Sequence, residues 1–574
     1  MSIDDIISVL EEMAVLMELK DENPFKIRAF QNGARVLEGV QDLKSLVQEK
    51  KLTTIKGIGE HLSKTITELF ETGKSKEHTR LRKAFPQTLF EILKLQGLGP
   101  KKVKALYKKL KIKSLTELEK ACKEDRLLKL EGFQKKTQEN ILQAIEGAKK
   151  RQGRFLYPTA LKEAQKLKAY LEKSKAVQKI EIGGSLRRFK DTVKDIDLLV
   201  AAQKSKPVMD FFTSYPEVHR VLAKGETKSS LILNAGINVD LRVVNSKEFP
   251  FALHYFTGSK AHSSHLRGIA KTKGLKLNEY GLFKGKQSLS CSSEAALFEK
   301  LGLSYIEPEL REDSGEIEAT QKGDKLPHLV TFKDLKGTFH NHTTYSDGRN
   351  TLEEMIQAAQ DLGLEYIGIS DHSPSAYYAN GLKPDRLKKQ QAEIDQLQKK
   401  FATRGKIKIL KGTESDIRSD GSLDYPDKIL AGFDFVIASI HSNFKMTEKD
   451  MTNRIVKALK NKHVTMIGHP TGRLVSKRDA YPVNLYQLVD VAADYGKAME
   501  LNAHPERLDI DWHICKYAKS KKVPVSINPD AHKSDGIQVI RYGIQMARKG
   551  WLEKKDVLNT RSYEDVMKFL RSYK

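Results

Sequence analysis

The spacing of apolar positions changes character along this chain. From residue 1 to about 85 they recur at helical spacing, as in Ile6, Ile7, Leu10, Met13, Leu16 and Met17, which predicts short amphipathic helices. From about 151 to 245 the pattern turns mixed. A helix over 160–171 is followed by a strand over 179–182, an apolar run Ile196–Val200, and a strand pair 229–233 and 238–244 around a turn at 234–236. Residues 307–335 are polar with little periodic signal and read as a linker, its tip at 315–323. Beyond it, short apolar strands recur near 337–340, 365–370, 407–412, 434–440, 463–468, 497–501 and 523–528, mostly with amphipathic helices between them. One of these helices, 351–362, opens on a capping box of Thr351 and Glu354. Seven β/α units predict a barrel smaller than the eightfold one.

The helical front carries a repeated glycine turn. Ile55-Lys56-Gly57-Ile58-Gly59 and Leu95-Gln96-Gly97-Leu98-Gly99-Pro100-Lys101 each precede a helix, and a degenerate copy at Leu130–Lys136 has Gln134 in place of the second glycine. A single such turn is an ordinary helix C-cap. Three in series, with lysines after the second and third, suit backbone N–H groups holding nucleic-acid phosphates without reading sequence. Lys56, Gly57, Gly59, Gly97, Gly99 and Lys101 are the expected DNA contacts. The lysine-dense stretch 101–113 adds salt-sensitive backbone affinity.

Charge strengthens this reading. The net charge is +26 with 30% charged residues, which suits a polyphosphate partner or an anionic membrane surface. No apolar run approaches the ~20 residues of a membrane span. The acidic, amphipathic start MSIDDIISVLEEM does not read as a signal peptide, and Cys122, Cys291 and Cys515 form neither a disulfide framework nor a metal motif. A cytoplasmic protein is expected.

Two stretches carry the candidate chemistry. In IGGSLRRFKDTVKDIDLLV (182–200), Asp195 and Asp197 stand two apart on a predicted strand and so share one face. That spacing suits two divalent ions about 4 Å apart, the clamp for in-line phosphoryl displacement. Gly183, Gly184 and Ser185 offer backbone donors, and Arg187 and Arg188 offer charge, to a phosphate. Asp240 on the later strand supplies a third carboxylate. The second stretch lies in the barrel region, which holds nine of the sixteen histidines after residue 339. His340, His342, Asp347, His372, Glu414, His441, His469, Asp530 and His532 all fall at or just beyond the C-terminal ends of predicted strands, the catalytic mouth of such barrels. Mixed imidazole and carboxylate ligands suit Zn, Mn or Fe, and nine of them suggest two or three ions for phosphoester hydrolysis.

Two family resemblances rest on these residues. Gly184-Ser185-x-x-Arg188, Asp195-x-Asp197, Asp240 and Tyr255-Phe256-Thr257-Gly258-Ser259 follow in the order of a family X DNA polymerase, the group that includes polymerase beta. The resemblance implies that Asp195, Asp197 and Asp240 hold two Mg2+ or Mn2+ ions. Nucleotide-binding positions would be Gly184, Ser185, Arg188, Lys194, Tyr255, Phe256, Gly258 and Ser263, with Tyr255 and Phe256 at the sugar. Ser263 stands where the family has an asparagine and Lys194 where it has a glycine. Thr65 occupies the place of the lyase lysine, beside Lys64, so no lyase is assigned. From residue 335 the chain resembles the PHP (polymerase and histidinol phosphatase) domain, in His340-Asn341-His342, Asp371-His372, Glu414, His441, His469-Pro470 and Asp530-Ala531-His532. Asp371 could orient a ligand histidine, Arg473 could clamp a phosphate, and His504 lies near the rim.

The expected architecture is multidomain. Helix-hairpin-helix regions (1–85, and 86–150 as fingers) are all-α. An α+β nucleotidyltransferase palm (151–245) and thumb (246–315) follow, then a linker (316–335) and a distorted (βα)7 TIM-like barrel (336–574). The expected activity is gap-filling DNA synthesis from dNTPs, joined to a metal-dependent 3′-5′ exonuclease in a monomer. The alternatives are a DNA-tethered phosphatase or abasic-site endonuclease in which the barrel is the main activity, and a DNA-binding scaffold.

Overall fold

In a computed structural model the chain divides into two compact units, residues 1–152 and 153–574. All residues are described except 2, 38, 39, 41, 42, 94, 96, 152, 324, 405, 406, 573 and 574. Gln96 of the second glycine turn therefore lies outside the described residues. None of the described helices is long and apolar enough to cross a membrane, and the three cysteines are free and buried.

The first unit is helical, with the apolar faces of its helices merged into one core from Ile6 to Ile145. The three glycine turns repeat one geometry. Gly57, Gly97 and Gly132 have φ of +103°, +85° and +82°, the left-handed region open to glycine. In each turn the next residue (Ile58, Leu98, Phe133) is buried and its N–H donates to the carbonyl three residues back. The chain then enters the helices Glu60–Thr72, Pro100–Leu110 and Lys135–Arg151.

The second unit opens with a five-stranded sheet. Strand Asp195–Ala201 lies between Lys179–Ile182, antiparallel, and Asn238–Val244, parallel. Lys228–Leu233 and Val218–Lys224 complete the sheet, and Val218–Lys224 is an exposed edge that periodicity did not predict. Helices Phe249–Thr257 and Lys260–Thr272 then lead to a three-stranded sheet of 276–278, 281–284 and 287–289.

The stretch expected to be a linker differs from that expectation. It holds a helix, Glu316–Gln321, whose Glu316 is fully buried and takes His262 Nδ1 at 2.8 Å and the N–H groups of Asp313 and Ser314. Further on, the Val330 N–H donates to Leu552 O at 3.0 Å. A polar composition hid a partly packed strap: Glu316 finds its partners within the protein, while residues 321–323 remain exposed.

Seven parallel strands follow: Gly337–Asn341, Tyr366–Ile369, Lys408–Asp416, Phe435–Ser439, Met466–Ile467, Ala498–Asn502 and Val525–Asn528, paired in chain order. Ala531, just past the last strand, exchanges hydrogen bonds with His340 and His342 (3.1 and 2.9 Å), so first and last strands are tied and the barrel is nearly closed. Phe339, Tyr366, Phe435, Ile437 and Met466 fill its interior.

Candidate active sites

In the palm sheet, Asp197 is the register partner of Asp240 across a parallel pair, so the two side chains leave the same face, with Asp195 one pleat earlier. Asp197 is pushed up to about 6, by burial first and then by the charges of Asp195 and Asp240. A site that repels its own negative charge in this way is suited to cations. Asp240 accepts from Ser230 Oγ at 2.5 Å and pairs with Lys228 Nζ at 2.7 Å. The Gly183 N–H donates to Asp197 O at 2.8 Å, which locks the glycine turn to the carboxylate strand. Gly184 has φ +60°, and a Cβ there would lie 1.9 Å from Asp197 Oδ2, so only glycine fits.

The two arginines divide. Arg187 donates to Thr257 Oγ1 and, from both terminal nitrogens, to Glu294 at 3.1 and 2.7 Å. Glu294 also takes the fully buried Arg311 at 2.6 Å. Burial alone would raise the Glu294 carboxyl, but Arg311 and Arg187 hold it down to about 2. Arg187 is thus a structural tie, not a free phosphate clamp. Arg188 donates to Thr257 O and, from Nε, to Glu312 at 3.2 Å. Around it, Ser185 is half-buried, and a Cβ at Gly258 (φ +70°) would lie 3.1 Å from Arg188 Nη1. Tyr255 and Phe256 pack edge to face at 5.1 Å, with Arg242 over Phe256. Lys194 is exposed, whereas Ser263 is buried within its helix with its hydroxyl unpartnered.

All nine barrel residues converge. Their ligand atoms fall into four overlapping groups, each within 4.8 Å: His340/His342/Asp530, His342/Asp347/His372/His532, His372/Glu414/His441 and His340/Glu414/His469. Glu414 lies at the centre. Its Oε1 is 3.3 Å from His340 and His441 and 2.9 Å from His469, while its Oε2 is 3.0 Å from His372. His340, His469 and Asp530 have positive φ (+58°, +28° and +52°), which places backbone strain at the ligand positions. His340 Nε2, His342 Nε2 and His372 Nδ1 are buried without a hydrogen-bond partner. Ring nitrogens without a well-directed hydrogen bond, gathered around one carboxylate, are groups that divalent ions would satisfy. The titration pattern agrees. Burial opposes a charged His441, yet Glu414 and Asp416 push it up to about 10. Burial likewise opposes His532, which Asp347 and Asp530 push up to about 9. Burial carries His342 down to about 3 and His469 to about 4. The carboxylates draw positive charge into the cage, as imidazole–carboxylate sites for divalent metals do.

With both centres in view, comparison with known proteins is decisive. The chain is 41% identical over 571 residues to the DNA polymerase/3'-5' exonuclease PolX of Bacillus subtilis, covering 99% of each chain. The chain belongs to the family X DNA polymerases that carry a PHP domain. Family models match in the same order: a helix-hairpin-helix domain over 1–75, a SAM-like helix-hairpin-helix tandem over 90–146, the DNA polymerase beta thumb over 252–312 and the PHP domain over 338–504. The barrel has relatives of its own. A probable phosphatase of Thermoanaerobacter sp. is 28% identical over 240 residues (38% of this chain, 89% of the relative), and one of Caldicellulosiruptor bescii is 31% identical over 209 residues (34% and 78%).

Around the PHP cage, several residues escaped sequence reasoning. Glu500, fully buried in the sixth strand, takes His340 Nδ1 at 2.5 Å and the His469 N–H at 2.6 Å, which turns His340 Nε2 toward the cage. Asp416 takes His441 Nδ1 at 2.7 Å. Both left a trace: Glu500 is a lone acid in an apolar strand, and Asp416 stands one period-2 step from Glu414. Asp371 does not orient a ligand ring through a hydrogen bond. It accepts from Thr343 N and Oγ1 and Ser346 N and Oγ and so ties the loop after the first strand. Arg473 is spent on the carbonyls of Arg507 and Leu508, whereas Arg507 lies 3.3 Å from Asp530 with a buried, unpartnered NH1. His504 accepts from the Glu506 N–H as part of its own loop.

In the hairpins, Gly59 and Gly99 have φ of −82° and −75°, which any residue adopts, and nothing lies within 4 Å of an added Cβ. No internal contact requires glycine there. Lys56 and Lys101 are exposed beside them. Thr65 is buried with its hydroxyl donating to His61 O at 3.1 Å, so no amine stands at that position.

Proposed function

We propose that the protein fills gaps in DNA by template-directed nucleotidyl transfer from dNTPs and shortens 3′ ends with its PHP barrel, acting as a monomer. The observation that carries this reading is the 41% identity along essentially the whole of a polymerase/exonuclease relative.

In the palm, Asp195, Asp197 and Asp240 would hold two Mg2+ or Mn2+ ions, which would supply Lewis-acid stabilisation of the reacting phosphate. The Gly184–Ser185 turn would offer N–H groups to the triphosphate, Arg188 would neutralise its charge, and Tyr255 and Phe256 would wall the sugar. In the barrel, the nine ligands would hold two or three Mn2+, Zn2+ or Fe2+ ions, which would provide a nucleophile at neutral pH. Glu500 and Asp416 would fix the tautomers of His340 and His441, and Arg507 would orient the scissile phosphate. The open flanks of Gly59 and Gly99 would let a DNA backbone approach the helix N-termini that follow, with Lys56 and Lys101 adding charge.

Gapped, end-labelled DNA incubated with and without dNTPs tests both halves. Asp197→Ala is expected to abolish extension and spare shortening, and His342→Ala to do the reverse. Normal extension by the first variant, or native-rate shortening by the second, would refute the assignment. The phosphatase relatives of the barrel favour a second reading, a small-molecule phosphatase tethered to DNA. Equal turnover of a phosphomonoester and of DNA ends would support it.

A further inference from the structure

Helix Ile540–Lys549 follows the seventh barrel strand and ends on a lysine that is 2% exposed. Such a residue is almost never buried unless its ammonium is paired. Lys549 Nζ lies 5.5 Å from the centre of the Trp512 ring on the barrel side, and its hydrogen bonds all run to residues outside the barrel. It donates to Glu312 Oε1 at 2.5 Å, to the carbonyl of Arg188 at 3.1 Å and to that of Glu309 at 3.4 Å. Next to it, Arg548 pairs with Glu309 at 2.5 Å. Glu312 is the shared partner: its Oε1 also takes Arg188 Nε at 3.2 Å, and its Oε2 takes Lys190 at 3.2 Å. Arg188 and Lys549 thus compete for one oxygen of one nearly buried carboxylate.

We propose that Lys549 of the barrel region is a positioning residue for nucleotide binding in the palm, holding Glu312 so that Arg188 remains available to the incoming triphosphate. The inference rests on the reading of Arg188 as the triphosphate ligand. The reasoning is electrostatic. With Lys549 in place, the Glu312 charge is divided among three cations, and the hydrogen bond to the Arg188 carbonyl fixes the turn that carries the guanidinium. Without it, Oε1 belongs to Arg188 alone in a poorly solvated spot, and a triphosphate must break a strengthened ion pair to bind. Lys549 touches neither the palm carboxylates nor the barrel ligands, so its loss should appear in nucleotide affinity and not in either chemistry.

Single-nucleotide gap filling by the full-length protein, measured as KM for dNTP and kcat, decides the matter, with shortening of single-stranded DNA as the check that the barrel is intact. Lys549→Met is expected to raise KM about five- to tenfold with kcat and shortening within twofold of native, and Lys549→Arg to restore it. Glu312→Gln is expected to lower KM or leave it unchanged, and Lys549→Met with Glu312→Gln to return KM to the level of Glu312→Gln alone. Native KM in Lys549→Met, a higher KM in Glu312→Gln, or a double variant as impaired as Lys549→Met would each overturn the proposal. Because Glu312→Gln leaves the lysine in place, the test holds even where Lys549→Met folds poorly. Arg188→Gln separates the two levels. If it leaves KM unchanged, the reading of Arg188 fails; if it raises KM while Lys549→Met does not, only the role of Lys549 fails.

Discussion

The two candidate ligand sets in this chain are built on opposite plans. The barrel cage is ordered in advance: nine residues from six of the seven strand ends meet with Glu414 at the centre, all but Asp347 at least partly buried and three of them (His340, His469, Asp530) at positive φ. Glu500 and Asp416 hold the histidine rings from behind. The palm triad is open. Asp195 is exposed, Asp197 is half-buried, and Asp240 is paired with Lys228. A cage that orders its ligands before metal arrives loses little freedom on binding and should hold its ions. A triad that must shed a lysine and await substrate phosphates should hold its ions weakly. On the proposed function the difference would suit the two reactions, since a nucleotide could bring metal to the palm while the barrel would cut with the ions it holds.

Metal removal should give the largest separation. After dialysis into metal-free buffer, extension is expected to fall at least a hundredfold while shortening keeps a substantial fraction of its native rate. Metal content by elemental analysis would show ions retained in wild type and lost in His342→Ala. Equal loss of both activities would break the comparison. Next, Glu500→Gln should weaken barrel metal affinity by about 10–100-fold, read by metal titration, and leave extension unchanged. Full metal affinity in that variant would mean that the cage does not depend on its outer carboxylates.

Gly184→Ala should be felt only in the palm. The added methyl would lie 1.9 Å from Asp197 Oδ2 in a left-handed turn, so extension is expected to drop about tenfold or more while shortening persists. The smallest effect belongs to the hairpins. Lys101→Ala should weaken DNA binding severalfold and reduce the salt dependence by about one phosphate contact, as read by anisotropy over a salt series. An unchanged slope would remove Lys101 from the interface.

Much of both centres was legible because it is local. Period-2 alternation put Asp195 and Asp197 on one face, and apolar strands ending in His or acid marked the barrel mouth before any fold was known. Sequence did not show partners contributed by distant chain segments. Arg187 and Arg188 are adjacent and look interchangeable, yet Glu294 claims one and Glu312 the other. Glu500 became a support for His340 only when barrel closure brought together residues 160 positions apart.

By itself, then, the sequence determined the kinds of elements, the identity of nearly all the candidate ligands and the family. Each of these follows from spacing along the backbone, which helix and strand geometry translate directly into faces. Tertiary structure alone decided how the charges are shared: which arginine is tied down, which buried acid holds which ring, and that a barrel lysine reaches the backbone of Arg188. A buried charge must find its counter-charge wherever the fold supplies one, and that place is set by packing, not by position in the chain.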